Sequence, residues 1–386
     1  MMNYVLGQIE QLLRTSFFQP AYHQFAHFRA VISERFQLSE AALCTKYLAC
    51  KIFEAACAGK SRRNIGLYGQ LLQRIEDYLE STPPEDITFA ETYNRLAGTL
   101  EVTYMKLMFS AGMNTYQLLR NAAPTFLQLA FTQPSLWPDP TNFTSVPLGR
   151  IIGSSNYELS RFILLDALHS MAYGLPHVVE YDTSTPPVRG GGWPSEWVHG
   201  CPLELQFALI EINNLCNAPI RVLPEPDWRP IEDRIKSWKP AGSVLHGDES
   251  WKTVAVLIIQ ESWRHALLVY LYMGICGVSS DDERVEASVQ QIFQLIDTAG
   301  TFSTPSLLIH FLSQYLVAGA CARTEKQRDI IYEKLEGTAD TGIWLFRGTD
   351  FIPVLDHLWH GAAANGRPIH WSDYVHSRQA MLPVHF

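Results

Sequence analysis

The short motifs that mark common enzymes and metal sites are missing from this 386-residue sequence. None of its seven cysteines forms a C-x-x-C pair, and the G-x-S-x-G motif of serine hydrolases is absent. Structural zinc sites usually supply two close cysteine pairs. The odd cysteine count in apolar stretches therefore predicts reduced thiols in an intracellular compartment. Cys44, Cys50 and Cys57 lie about seven residues apart on one predicted helix, and we interpret them as core residues.

Positive charge is scarce as well. The chain has 30 Lys plus Arg against 39 Asp plus Glu, and its one basic cluster is Lys60-Ser61-Arg62-Arg63. Because DNA binding depends largely on neutralising phosphates, we expect no direct DNA binding from this chain alone. The first 18 residues lack a basic stretch followed by an apolar core, so no secretory signal is predicted.

Strand patterns are also lacking. No run of alternating apolar and polar residues indicates a substantial sheet, and no fixed-period repeat is found. Apolar residues instead recur at helical spacing almost throughout, which predicts an all-α fold. We expect one large domain over 1–386, an irregular array of packed antiparallel helices. Its helical N-terminal part covers about 1–135 and its core about 150–386, with a Pro/Gly surface loop at 176–200.

Several residues predict where helices start, bend and stop. Ser155 with Glu158, and Ser280 with Glu283, have the spacing of capping boxes. Pro124 falls inside a helical pattern, where it is expected to kink the helix or split it in two.

The longest apolar stretch, Trp251 to Val278, is interrupted by a polar island of Gln260, Glu261, Arg264 and His265. A charged group at the centre of a membrane span is costly, and the uncharged run beyond the island is too short to cross a membrane. We therefore predict a buried central helix with other helices around it, and no association with a membrane.

Glu261 and His265 are four residues apart and so neighbours on that helix. A carboxylate beside a histidine could tune it as a general base. Since no nucleophile motif lies nearby, a buried pair that satisfies polar groups is favoured.

A second candidate is Asp356-His357-Leu358-Trp359-His360. Two histidines three apart share a helix face and could bind a metal or move a proton. The H-E-x-x-H arrangement is absent, so a packing role at a helix end is favoured. A metal-dependent α-helical enzyme using His357, His360 and Glu261 stays as the alternative.

Aromatic residues make up 12% of the chain. They could line a ligand pocket between helices, although tryptophans are more often anchors of cores and loops. The tryptophans considered are Trp193, Trp197, Trp228, Trp238, Trp263 and Trp359.

Five stretches of the chain resemble the fungal-specific transcription factor domain, which is the regulatory domain of fungal zinc-cluster transcription factors. They occur in the order found in that family. They are TYMKLMFSAGMNTYQLLRNAAPTFLQLAF at 103–131, ELSRFILLDALHSMAYGLPHVVEY at 158–181, WVHGCPLELQFALIEIN at 197–213, ESWRHALLVYLYMGICGV with DDERVEASVQQIFQLI at 261–296, and GTDFIPVLDHLWHGAAANGRPIHWSDYVHSRQ at 348–379.

The resemblance implies an all-α regulatory domain that acts in the nucleus on transcription by RNA polymerase II. Its expected partners are transcriptional co-regulators or a second copy of itself, and a small-molecule effector between helices is a further candidate. The family's zinc cluster, six cysteines holding two zinc ions, has no counterpart among the cysteines here, so no cofactor is expected in this chain.

The candidate site implied by these patterns consists of Trp263 and three residues of the polar island. Glu261, Trp263, Arg264 and His265 are expected to be either an effector contact or a structural network. A helical scaffold with neither effector nor DNA is the third hypothesis.

Overall fold

Helices account for nearly all regular structure in the computed structural model. It describes residues 1–384 except for 16–21, 58–67, 83–86, 110–114, 138–143, 155, 188–195, 197–198, 219–226, 241–249, 303–308 and 339–346. The helices are α1 Met2–Thr15, α2 Tyr22–Leu38, α3 Glu40–Cys57, α4 Gly69–Glu80, α5 Phe89–Phe109, α6 Thr115–Phe131, α7 Leu148–Ile152, α8 Tyr157–Tyr173, α9 Leu203–Cys216, α10 Arg229–Ser237, α11 Ser250–Gly274, α12 Glu283–Gly300, α13 Leu312–Ala320, α14 Glu325–Gly337, α15 Ile352–His360 and α16 Trp371–Met381.

The all-α prediction is confirmed, with a small addition. Among the described residues the only sheet has two strands of two residues each, β1 Val146–Pro147 and β2 Tyr181–Asp182. They pair in parallel, and the amide nitrogen of Val146 donates to the carbonyl of Glu180 at 2.8 Å. A two-residue strand is too short to show alternation, which is why the sequence pattern did not reveal it.

Helix α11 lies at the centre of the larger core and packs against α9, α10, α12, α13 and α16. It is long and apolar enough to cross a membrane by composition, but 72% of its most apolar 18-residue stretch is buried in the protein. Ile259, Leu267 and Leu271 are fully buried. Helices therefore surround the long apolar segment on most sides, as its composition predicts.

The start of α12 differs from the prediction. Ser280 does not cap this helix, because it pairs in both directions with Ile369: its amide donates to the Ile369 carbonyl at 2.8 Å, and its hydroxyl accepts from the Ile369 amide at 3.0 Å. The helix begins at Glu283 instead, and the side chain of Asp282 accepts from the Arg284 amide at 3.0 Å. A partner 89 residues away thus overrides the local capping pattern.

Other predicted boundaries fare differently. Helix α6 runs through Pro124 as one element and is not split. The loop at 176–200 is described only in part, since 188–195 and 197–198 are among the gaps. Four predicted features lie outside the described residues: Ser155, the basic cluster at 60–63, Trp193 and Trp197.

Buried charges join the N-terminal helices to α8. On α5, Glu101 accepts hydrogen bonds from Lys46 of α3 at 2.7 Å and from Arg161 of α8 at 3.0 Å. Burial alone would raise the pKa of Glu101, but the two cations outweigh it and lower the pKa to about 2. The carboxylate thus stays ionised and links three helices. The boundary between an N-terminal part and a core near residue 135 stays a prediction.

Gly174 lets α16 pack against the end of α8. It ends α8 in the left-handed region, with φ of +60°, and a Cβ there would lie 2.5 Å from Cγ2 of Val375. Gly277 has nearly the same φ, +65°, but open space around it. Alanine substitutions at these two glycines therefore separate the free-energy cost of a left-handed backbone from the cost of a steric clash with Val375.

We expect Gly277→Ala to lower the free energy of unfolding by about 1 kcal/mol through backbone strain. Gly174→Ala should lower it by a further ~1–3 kcal/mol, because Val375 must move. Denaturant titration of both variants against the original protein measures the two values. Equal losses would show that the close approach at Val375 contributes nothing.

Candidate functional site

The four candidate residues on α11 form two separate groups. Trp263 points into the core with 2% of its surface exposed, whereas Glu261, Arg264 and His265 lie half-buried at the surface next to α10. Sequence spacing brought these four residues together. In the structure, Glu261, Arg264 and His265 are in contact with one another, whereas Trp263 lies on a different face of the helix.

Trp263 belongs to a buried hydrogen-bonded group with Ser262 and Gln314 of α13. With the Gln314 amide oxygen facing α11, that oxygen accepts from Ser262 Oγ at 3.1 Å and from Trp263 Nε1 at 3.2 Å. The amide nitrogen then donates to the carbonyls of Phe311 and His310, both at 3.2 Å. One glutamine side chain thereby satisfies the polar atoms where α11 crosses α13.

The surface group is an ion pair with a histidine beside it. Arg264 donates to both carboxylate oxygens of Glu261 and, at 3.3 Å, to the carbonyl of Lys236 at the end of α10. His265 Nε2 lies 3.4 Å from the same carboxylate. Burial alone would raise the pKa of Glu261, but the hydrogen bonds from His265 and Arg264 outweigh it and lower the pKa to about 2. An ionised Glu261 held by a cation stabilises the α10–α11 contact and is a weak proton acceptor.

A cleft of about 430 Å³ lies at the C-terminal end of α11. It forms where the last residues of three helices meet α16: Gly174 follows α8, Cys216 ends α9 and Gly274 ends α11. The volume falls in the range of small-molecule sites. No local motif signals such a cleft, because its walls come from four distant segments.

The cleft has a buried wall and an exposed rim. Tyr270, Met273 and Trp371 form the wall, and the rings of Tyr270 and Trp371 have centroids 5.0 Å apart. Trp371 was not among the tryptophans singled out by sequence. The exposed rim is contributed by the cap and outer face of α16, through His370, Ser372, His376 and Gln379.

A buried polar network lies directly behind this wall. Tyr270 donates to Asn213 Oδ1 at 2.8 Å, and the Asn213 amide nitrogen donates to the carbonyl of Ala167 at 2.9 Å and to His177 Nε2 at 3.0 Å. His177 Nδ1 lies 3.1 Å from Asn214 Oδ1. Burial lowers the pKa of His177 to about 4, which keeps the imidazole neutral in this arrangement. The network joins α8, α9 and α11.

Asp166 of α8 is a fully buried carboxyl group next to this network. It accepts from the Val178 amide at 2.9 Å and from the Tyr181 hydroxyl at 2.8 Å. Burial raises the pKa of Asp166 to about 7 although these donors oppose the rise. The carboxyl group therefore changes charge near neutral pH while it holds the segment that leads to β2.

The second predicted candidate is not assembled. His357 Nδ1 lies 3.1 Å from Ser377 Oγ, and His360 Nδ1 lies 2.8 Å from the carbonyl of Asp356. Within the described residues no hydrogen bond or ion pair joins Glu261 to either histidine, and no group of three or more His, Cys, Asp and Glu could hold a metal ion.

The other tryptophans that the structure describes act as anchors. Trp359 Nε1 donates to the carbonyl of Gly319 at 2.9 Å, and Trp238 Nε1 donates to Glu204 at 3.4 Å. Trp228 stacks edge-on against Tyr272. Each indole connects two elements, which is the role that tryptophans in cores and loops commonly have.

We expect the pH dependence of stability to change in Asp166→Asn. The folded pKa of Asp166 is raised from 3.8 to about 7, so its contribution to stability is complete below about pH 4 and is lost as the pH rises to about 7. The difference in unfolding free energy between original protein and variant should therefore shift by on the order of 4 kcal/mol between about pH 4 and about pH 8.

Denaturant titrations of both proteins across this pH range measure that difference. Other titrating groups, including Glu261, cancel in the comparison because both proteins contain them. A difference that stays constant from acid to neutral pH would contradict the buried, uncharged form of Asp166.

The comparisons with known proteins concern the region that contains both groups and the cleft. The sequence model of the family described as fungal specific transcription factor domain matches residues 159–383, from the first turn of α8 to just beyond α16. No curated protein and no solved structure matches the chain. The family match covers more than half of the 386 residues and overlaps four of the five resembling stretches, while the stretch at 103–131 lies outside it. The chain belongs to the fungal-specific transcription factor domain family.

Proposed function

We propose that this chain is a regulatory domain that controls transcription by RNA polymerase II in the nucleus by binding a co-regulator or a small effector. The family match over 159–383 carries this proposal, since it includes the central helix and every element that packs against it. Membership in this family supports a role in transcriptional regulation.

The charge of the chain supports a model in which a separate module binds DNA and this domain regulates transcription. The formal net charge is −9, so the field of the chain repels phosphate backbones. Recognition of a DNA sequence would then come from another module or partner. The domain would bias whether the assembled factor activates or represses.

The geometry does not favour the enzyme hypothesis. His357, His360 and Glu261 each bond to a different neighbour, so no proton-transfer pair or metal site connects them. We therefore expect the purified chain to hold no metal. A stoichiometric metal ion that is lost in His357→Ala would favour the enzyme instead.

The proposal predicts transcriptional output from the domain when it is placed on DNA by other means. Fused to an unrelated DNA-binding domain in fungal cells, the full chain should raise or lower expression of a reporter that carries the matching sites. The DNA-binding domain alone, and a fusion to an inert helical domain of similar size, serve as controls.

The same experiment separates regulation from direct DNA recognition. The purified chain without a fusion partner should show no sequence-specific DNA binding, because its formal net charge of −9 opposes binding to phosphates. Reporter expression that equals both controls under all growth conditions tested would contradict a regulatory role and favour a plain scaffold.

A further inference from the structure

We propose that the cleft at the C-terminal end of α11 binds a small organic cation that carries an aromatic ring, and that this cleft is the effector site of the domain. The second part rests on the regulatory function proposed above. The first part concerns binding alone and stands on the shape and the electrostatics of the cleft.

The electrostatic argument starts from the helix ends around the cleft. Gly174, Cys216 and Gly274 lie at the C-terminal ends of α8, α9 and α11, and all three line it. The last carbonyl groups of a helix lack intrahelical partners, and each C-terminal end carries a partial negative charge. Three such ends at one cavity favour a positively charged ligand.

One helix N-terminus also borders the cleft, and its partial positive charge counteracts the partial negative charges of the three C-terminal ends. Helix α16 starts at Trp371, and its partial positive charge would oppose a cation. Asp373 lies in its first turn, and the carboxylate accepts from the amide of His370 at 2.8 Å. This acidic side chain offsets the N-terminal end, so the three C-terminal ends dominate.

The lining side chains add attraction without a fixed charge. Among the described residues that line the cleft, none is Lys, Arg, Asp or Glu. Trp371 and Tyr270 supply aromatic surface, which attracts both flat rings and cations. The rim residues His376, Gln379 and Ser372 carry nitrogen and oxygen atoms that can accept hydrogen bonds from an ammonium group.

Cys216 belongs to this surface as a neutral group. Burial raises the pKa of its thiol to about 12, and a hydrogen bond with Tyr270 opposes that rise only in part. The sulfur therefore contributes a soft, uncharged wall. A cavity of about 430 Å³ accommodates a ligand of one or two rings.

The position of the cleft connects an occupant to the core. Tyr270 lines the cleft and donates to Asn213, which in turn bonds to α8 and to His177. Met273 belongs to the same wall, and its Sδ atom lies 3.3 Å from the Sγ atom of Cys321, the residue that follows α13. A ligand that moves either side chain therefore acts on contacts that join α8, α9, α11 and α13.

The test uses three compounds with the same indole ring and different charge: tryptamine (cationic), indole (neutral) and indole-3-acetate (anionic). The probe is the side-chain Nε1–H signal of Trp371 in the ¹⁵N-labelled full chain at mildly alkaline pH, assigned with Trp371→Phe. We expect a saturable shift, with tryptamine binding about tenfold more tightly than indole and indole-3-acetate binding more weakly than either.

Two adjacent positions on α16 provide the matched variants. Gln379 lines the cleft and Ala380 does not, and both are exposed, so a tryptophan should be tolerated at each. Gln379→Trp should fill the mouth of the cleft and weaken tryptamine binding by about tenfold or more, whereas Ala380→Trp should leave it unchanged.

Several outcomes would overturn the proposal. They are the absence of a saturable Trp371 shift, equal binding of tryptamine and indole-3-acetate, and unchanged tryptamine binding in Gln379→Trp. If the reporter fusion regulates transcription while the cleft fails these tests, the inference is wrong and the proposed function stands. If tryptamine binds as expected but the fusion leaves the reporter unchanged, the site stands and the regulatory function is wrong.

Discussion

Helix α11 has apolar side chains on most of its circumference. Exposing them to water is unfavourable, so the helix is stable only when other helices cover it. A fully buried large aliphatic side chain contributes about 1.5–3 kcal/mol relative to an exposed one. Ile259, Leu267, Val269 and Leu271 are all fully buried, so covering this helix contributes to the stability of the fold. Helices α9, α10, α12, α13 and α16 provide that cover by packing against it.

Polar groups in such an environment must have partners, and this explains the polar contacts near the middle and at the C-terminal end of α11. Near the middle of the helix, Gln314 satisfies Ser262 and Trp263, while Arg264 and Glu261 stay at the surface. At the C-terminal end, Asn213 satisfies Tyr270 and connects it to α8. The first arrangement has a structural role, since it connects α11 to α13. The second lies behind a cleft and connects whatever occupies the cleft to the helices of the core.

The sequence predicts the features that depend on local pattern. Helical periodicity predicts the fold class, and the charges inside the long apolar run favour a buried helix over a membrane span. Local sequence pattern does not predict the features that depend on residues far away in the chain. Ser280 fails to cap α12 because Ile369 takes both of its groups. Trp263 lies on a different helix face from Glu261 and His265, and its partner there, Gln314, comes from a distant helix. Trp371 reaches the cleft only once four segments have packed.

The central claim is that burial of α11 holds the family domain together, and native-state hydrogen exchange tests it most directly. The claim predicts that amides between residues 255 and 273 exchange more slowly than any others, and only through global unfolding of the domain. Amides of the short surface helix α10 should exchange through smaller, local openings. Exchange in α11 that is as fast as in α10, at an opening free energy below that of global unfolding, would contradict the claim.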